Sequence, residues 1–271
     1  MPIRVVMFDI GGILEVIPEG GDPATRYPAL DVEWEARLGL PPGHLTLCFE
    51  AVAADGAYGR CTYDEWSRRF RASTGLSQAD FDAYMVAFWD IYMGNPNEEL
   101  IAYFRALRPR YRTAILTNSF LGAREQEENR YGFTSMVDLA IYSHEEGVRK
   151  PDPRIFAIAA ERLGVAPAEI VFLDDLPENV DAARAFGLQA VLFTSTPQAI
   201  ADIEALLQGK GWPSICPGRS DEAAVRPGEA FPRPLLRNSR RRARVRRAIG
   251  DRRHTACIRP AARPARRPRP P

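Results

Sequence analysis

Five short apolar runs mark this chain at residues 3–8, 113–116, 139–142, 170–173 and 190–193. Runs of this length, bounded by polar or turn residues, are the pattern of buried strands. Between and after the later runs, the apolar positions shift to helical spacing, at 98–107, 154–163, 179–186 and 197–207. In 154–163 the stripe is Ile155, Phe156, Ala159, Ala160 and Leu163, and Gly164 and Gly187 stand where helix C-caps belong. Strands alternating with helices predict parallel βαβ units. The expected fold is α/β: a Rossmann-like parallel sheet flanked by helices.

Residues 15–97 break this alternation. Few β-branched runs occur there, and aromatic residues recur at helical spacing, as in Trp66/Phe70 and Phe81/Tyr84/Met85/Phe88. Ser77, with Asp80 three residues on, reads as a capping box. About four helices are predicted, inserted after the first strand and its turn. They would form a small helical cap over the sheet edge; the alternative is that they pack on the sheet as part of one domain. The expected organisation is a core of 1–14 and 98–208, a cap of 15–97, and a tail of 209–271.

Charge separates that tail from the rest. Net charge is +1 overall, but residues 209–271 hold 18 of the 36 basic residues and only 4 of the 35 acidic ones. The tail also has ten of the 23 prolines, a composition that cannot bury enough apolar surface to order itself, so disorder is expected. It lacks regular aromatic interleaving, so a nucleic-acid partner is not expected despite the arginines. No apolar run reaches the roughly 18 residues a membrane span needs. The opening residues lead straight into a strand, and a cytoplasmic location follows as the expectation. The four cysteines and three histidines make no metal-binding spacing, which argues against zinc.

Candidate chemistry lies just past the strands. Asp9 follows the first, Thr117-Asn118-Ser119 the second and Asp174-Asp175 the fourth, while Lys150 comes shortly after the third. Parallel sheets bind ligands outside the carboxyl ends of their strands. Carboxylates, a hydroxyl, an amide and an ammonium gathered at one edge suit a metal-assisted attack on phosphate. Each has a plainer reading: an Asp pair can be a helix N-cap with a solvated neighbour, and Thr117 and Asn118 are common in turns. Lys150 is one of only two lysines among the 36 basic residues, the other being Lys210. A chain so biased towards arginine that keeps a lysine here points to a need for a compact ammonium.

Val5-Val6-Met7-Phe8-Asp9-Ile10-Gly11-Gly12-Ile13-Leu14 resembles the first motif of the haloacid dehalogenase-like hydrolases. Ala114-Ile115-Leu116-Thr117-Asn118-Ser119 resembles the second, Lys150 in Val148-Arg149-Lys150-Pro151-Asp152-Pro153 the third, and Val171-Phe172-Leu173-Asp174-Asp175-Leu176-Pro177-Glu178-Asn179 the fourth. The branch it looks most like contains bacterial sugar-phosphate phosphatases and the N-terminal phosphatase domain of soluble epoxide hydrolases. The insert sits where that superfamily carries its C1 cap.

The resemblance implies an Mg²⁺-dependent phosphatase for a small phosphorylated metabolite. Asp9 would be the nucleophile. Asp9, Asp175 and the Gly11 carbonyl would hold the metal, with Asp174 acting through water. Thr117 and Asn118 would donate to phosphate oxygens, and Lys150 would neutralise charge. At Gly11 most such phosphatases carry a second Asp that protonates the leaving group. Glu15, His144 and Glu145 are the candidates to replace it. The rival expectations are a 2-haloacid dehalogenase and a protein that binds phosphorylated ligands with little turnover.

Overall fold

The computed structural model of the protein describes residues 1–16 and 23–209. The basic segment beyond residue 209, including Lys210, lies outside the described residues. Five parallel strands form the central sheet: β1 (Val5–Phe8), β4 (Arg112–Thr117), β5 (Leu139–Tyr142), β6 (Ile170–Asp174) and β7 (Gln189–Leu192). Their order is β5-β4-β1-β6-β7. β1 is therefore central, with Phe8 in register with Ile115 on one side and Leu173 on the other. All four residues of β1 and all five of β6 are buried, as expected of strands covered on both faces.

Two apolar clusters cover those faces. One contains Val5, Met7, Phe172, Ile155 and Phe156, so the stripe of α8 (Pro153–Leu163) packs here as its spacing predicts. Gly164 and Gly187 end α8 and α9 (Pro177–Phe186) in the left-handed conformation, at φ 61° and 109°. α9 begins two residues before the predicted 179 because Pro177 supplies the preset φ of a first helical turn. The other cluster contains Val6, Phe8 and Ile115, and Phe8 stacks on Phe104 of α5 (Glu98–Ala106) at 4.2 Å. α6 (Ala123–Tyr131), α7 (Ser143–Glu146) and α10 (Thr196–Leu207) complete the helices around the sheet.

Four helices fill the insert: α1 (Pro23–Leu38), α2 (His44–Ala57), α3 (Tyr63–Thr74) and α4 (Gln78–Tyr92). The predicted apolar positions Trp66, Phe70, Phe81, Tyr84, Met85 and Phe88 are all buried. Ser77 caps α4 as expected: its Oγ accepts from the Asp80 N–H at 3.1 Å and donates to the Asp80 carboxylate at 2.6 Å. Asp31 binds α1 to its neighbours by accepting from the Thr46 hydroxyl at 2.5 Å and the Tyr84 hydroxyl at 2.8 Å.

A short antiparallel pair brackets the insert and was not predicted. It joins β2 (Glu15–Val16) to β3 (Asn95–Pro96). Two residues per strand are too few to show a period-two pattern. Asn97, next in the chain, fastens this neck by donating to the Ile13 carbonyl at 3.2 Å and the Thr196 hydroxyl at 2.9 Å. Its own N–H reaches the Leu14 carbonyl at 2.9 Å.

Insert and sheet share one apolar cluster. Phe120, just past β4, lies 5.6 Å from Phe49, 5.1 Å from Trp66 and 6.4 Å from Phe88, ring centre to ring centre. No helix among the described residues is long and apolar enough to cross a membrane. Phe120→Ala is expected to cost about 3–5 kcal/mol, the usual range for emptying a buried ring site. Urea unfolding checks this: the insert and the sheet should still melt in one transition, at a lower midpoint.

Candidate active site

The site begins at the end of the central strand. Asp9 is 7% exposed, and its Oδ1 accepts from the Ile10 N–H at 2.8 Å. The chain then turns tightly, with the N–H groups of Ile13, Leu14 and Glu15 all donating to the Ile10 carbonyl. Gly12 allows this turn at φ 76°, and a Cβ there would overlap the Asp175 carboxylate. Gly12 therefore lets the first and fourth motifs come together.

Lys150 is 2% exposed, and its ammonium is fully used. Nζ donates to Asp9 Oδ2 at 2.8 Å, Asp174 Oδ2 at 2.7 Å and the Leu116 carbonyl at 2.9 Å. Three protons meet three acceptors from three adjacent strands, which suits an ammonium better than a planar guanidinium. Burial pulls the Lys150 pKa down, but Asp174 and Asp9 outweigh it and hold it above the ordinary lysine value.

Asn118 and Asp174 sit where the sequence places them, and both are tied to Lys150. The Asn118 amide nitrogen donates to the Lys150 carbonyl at 3.0 Å, and its oxygen accepts from the Lys150 N–H at 2.8 Å. Its side chain thus clamps the lysine backbone, while Asn118 also lines the site's cavity. Asp174 is fully buried, and its Oδ1 accepts from the Leu176 N–H and the Asn179 amide, both at 2.9 Å. It therefore anchors Lys150 and the start of α9. The Asn179 contact was not anticipated, although Asn179 belongs to the fourth motif.

Asp9, Asp174 and Asp175 can each bring one carboxylate oxygen within 4.8 Å of the others. Among the described residues they are the only such group of three potential metal ligands. Hard oxygen donors fit a cation such as Mg²⁺, and the charge balance points the same way. Burial first, then the charges of Asp9 and Asp174, push Asp175 up to about 8. Burial likewise pushes Asp9 up to about 6, although Lys150 opposes it.

Thr117, Asn118, Asp175, Gly11 and Gly12 line one side of a cavity of about 480 Å³. Tyr27, Ile91 and Tyr92 of the insert, with Phe193 after β7, also line it. Of the three candidates to replace an acid at Gly11, only Glu15 is on this wall. His144 is paired through Nδ1 with the Ser119 hydroxyl at 2.7 Å, and burial lowers its pKa. Glu145 is held by Arg124 at 2.6 Å. Glu15 is buried and pushed up to about 8, chiefly by burial. Facing the same cavity is Glu127 of α6, 2% exposed, which accepts from the Tyr142 hydroxyl at 2.7 Å. Burial, then the Glu15 charge, raise Glu127 well above the carboxylate range. Nothing in the sequence singles it out, because α6 is polar along nearly its whole length.

A family model described as haloacid dehalogenase-like hydrolase matches residues 47–187. Bifunctional epoxide hydrolase 2 of Sus scrofa is 25% identical over 260 residues, which are 88% of this chain and 45% of that protein. The chain thus spans less than half the length of that relative. A phosphatase of Mycobacterium tuberculosis is 31% identical over 114 residues, or 39% of this chain and 52% of its own. The crystal structure of a HAD family enzyme from Bacteroides thetaiotaomicron, in complex with magnesium and inorganic phosphate, covers 72% of this chain and 96% of that one. Its TM-score is 0.54 at 19% identity, a likeness of fold.

Four buried or half-buried carboxyls, Asp9, Glu15, Asp175 and Glu127, hold their protons more tightly folded than unfolded. Their contribution to stability is full below the ordinary carboxylate range. It is lost as pH rises through about 6 for Asp9 and about 8 for Glu15 and Asp175. In EDTA the urea midpoint should therefore fall between about pH 5 and pH 8.5, and Glu127→Gln should flatten that slope.

Proposed function

The chain belongs to the haloacid dehalogenase-like hydrolases, and within that family we propose that it is a magnesium-dependent phosphatase acting on a small phosphorylated metabolite in the cytoplasm. The observation that carries this reading is the arrangement around Lys150. One buried ammonium holds Asp9 and Asp174 together, and Asp175 stands beside them within reach of a shared cation. The phosphatase relative and the magnesium–phosphate complex of the Bacteroides enzyme support the same chemistry.

Asp9 is the nucleophile in this account. Its carboxylate attacks phosphorus, the bond from phosphorus to the ester oxygen breaks, and the alkoxide leaves, taking a proton from solvent water. Water then attacks phosphorus, releasing inorganic phosphate and restoring Asp9. Mg²⁺, held by Asp9, Asp175 and the Gly11 carbonyl, would offset the repulsion between two anions. Lys150 keeps Asp9 ionised and positioned, and its charge stabilises the transferring phosphoryl group. Thr117, on the cavity wall at the end of β4, presents a hydroxyl to phosphate oxygens. The insert closes over the cavity and selects the leaving group.

Gly11 supplies no side chain to protonate the departing alcohol. General acid–base help is worth about 10²–10⁴-fold, so an activated ester such as p-nitrophenyl phosphate should turn over faster than alkyl esters. Phosphate release should require Mg²⁺, stop in EDTA and fall below detection in Asp9→Asn. Lys150→Met should lose on the order of 10²–10³-fold in kcat. Chloride release from 2-chloropropionate without added metal, with no phosphate released from any ester, would contradict this reading.

A further inference from the structure

The cavity contains two carboxyl groups that phosphate chemistry does not use. Glu15 and Glu127 face it, 4% and 2% exposed, and neither belongs to the group formed by Asp9, Asp174 and Asp175. Glu15 receives the Gly94 N–H, but its Oε1 is buried with no hydrogen-bond partner. Glu127 has the Tyr142 hydroxyl on one oxygen. No lysine or arginine side chain is among the described residues lining the cavity. The arginines whose charge reaches these carboxyls are bound elsewhere, Arg130 to Asp90 at 3.1 Å and Arg124 to Glu145 at 2.6 Å. The remaining wall is largely aromatic and aliphatic, including Tyr27, Tyr92 and Phe193.

We propose that this cavity receives a phosphate ester whose leaving group carries a positively charged amine, held between Glu15 and Glu127 against the aromatic wall. The proposal rests on the phosphatase reading and names its substrate class. A buried carboxylate oxygen without a partner is costly unless something donates to it on binding. An ammonium supplies the donor and favours the ionised form of the carboxyl it meets, and aromatic faces favour it. A second anion on the leaving group, such as a carboxylate, would meet two buried carboxyls. A neutral hydroxyl would satisfy the orphaned oxygen but would not draw either carboxyl into its ionised form. The volume of about 480 Å³ leaves room for such an ester and for larger leaving groups.

Three esters of matched size test this: phosphoethanolamine, its neutral analogue ethylene glycol monophosphate, and anionic phosphoglycolate. Turnover is measured with Mg²⁺ on the full chain, with p-nitrophenyl phosphate as the reference for phosphatase activity. The amine ester should exceed the neutral one by about tenfold or more in kcat/KM, chiefly through KM. That ratio should fall towards one in Glu15→Gln and in Glu127→Gln, and a ratio is insensitive to a general loss of activity. Binding of the same three esters to Asp9→Asn protein, followed by calorimetry, provides the same comparison without turnover. Equal or better binding of the neutral or anionic ester would overturn the proposal. If p-nitrophenyl phosphate is still hydrolysed in that case, the phosphatase reading stands without it. If no ester is hydrolysed yet the amine ester binds preferentially, the amine site stands and the phosphatase reading fails.

Discussion

The rest of this structure depends on one buried ammonium. A charge with no access to water is tolerable only when paired and fully hydrogen-bonded. Lys150 meets that condition with Asp9, just past β1, Asp174 of β6 and the Leu116 carbonyl of β4. Those are the three central strands of the sheet. Their order places the three acceptors side by side, and the Asn118 clamp on the Lys150 backbone aims the side chain at them. The fold thus builds a site in which the proposed nucleophile is held in place before any substrate arrives.

The same region is short of positive charge. Lys150 is set against Asp9, Asp174 and Asp175, and Glu15 and Glu127 line the same cavity as Asp175. Burial raises the pKa values of four of these groups, and repulsion from neighbouring carboxylates adds to it. Sites arranged for chemistry often hold groups in states they would not adopt in water. The carboxyls form two groups: Asp9, Asp174 and Asp175 at the strand ends, and Glu15 with Glu127 elsewhere on the cavity lining.

Most of the fold was legible because buried parallel strands are continuous apolar runs, and 139–142 and 170–173 correspond closely to β5 and β6. Glycines and Pro177 set the helix ends by backbone geometry alone. The strand-end residues were legible for the same reason, since position after an apolar run indicates which edge a side chain reaches. Partners were not. Whether Asn118 faces phosphate or the Lys150 peptide depends on a contact 32 residues away. Glu127 becomes part of the cavity only because α6 packs beside Tyr142, and a polar helix gives no sign of which glutamate turns inward. The neck at Glu15 and Asn97 is invisible for want of length, yet it puts Glu15 on the cavity wall.

The central claim is that Asp9 attacks phosphorus. Rapid acid quench of the protein during turnover of p-nitrophenyl phosphate, followed by mass spectrometry of its peptides, tests it most directly. The account predicts a phosphoryl group on the peptide bearing Asp9, formed and lost at rates consistent with turnover and absent in Asp9→Asn. Phosphate release at full rate with no modified peptide, or with the phosphoryl group on another residue, would contradict it.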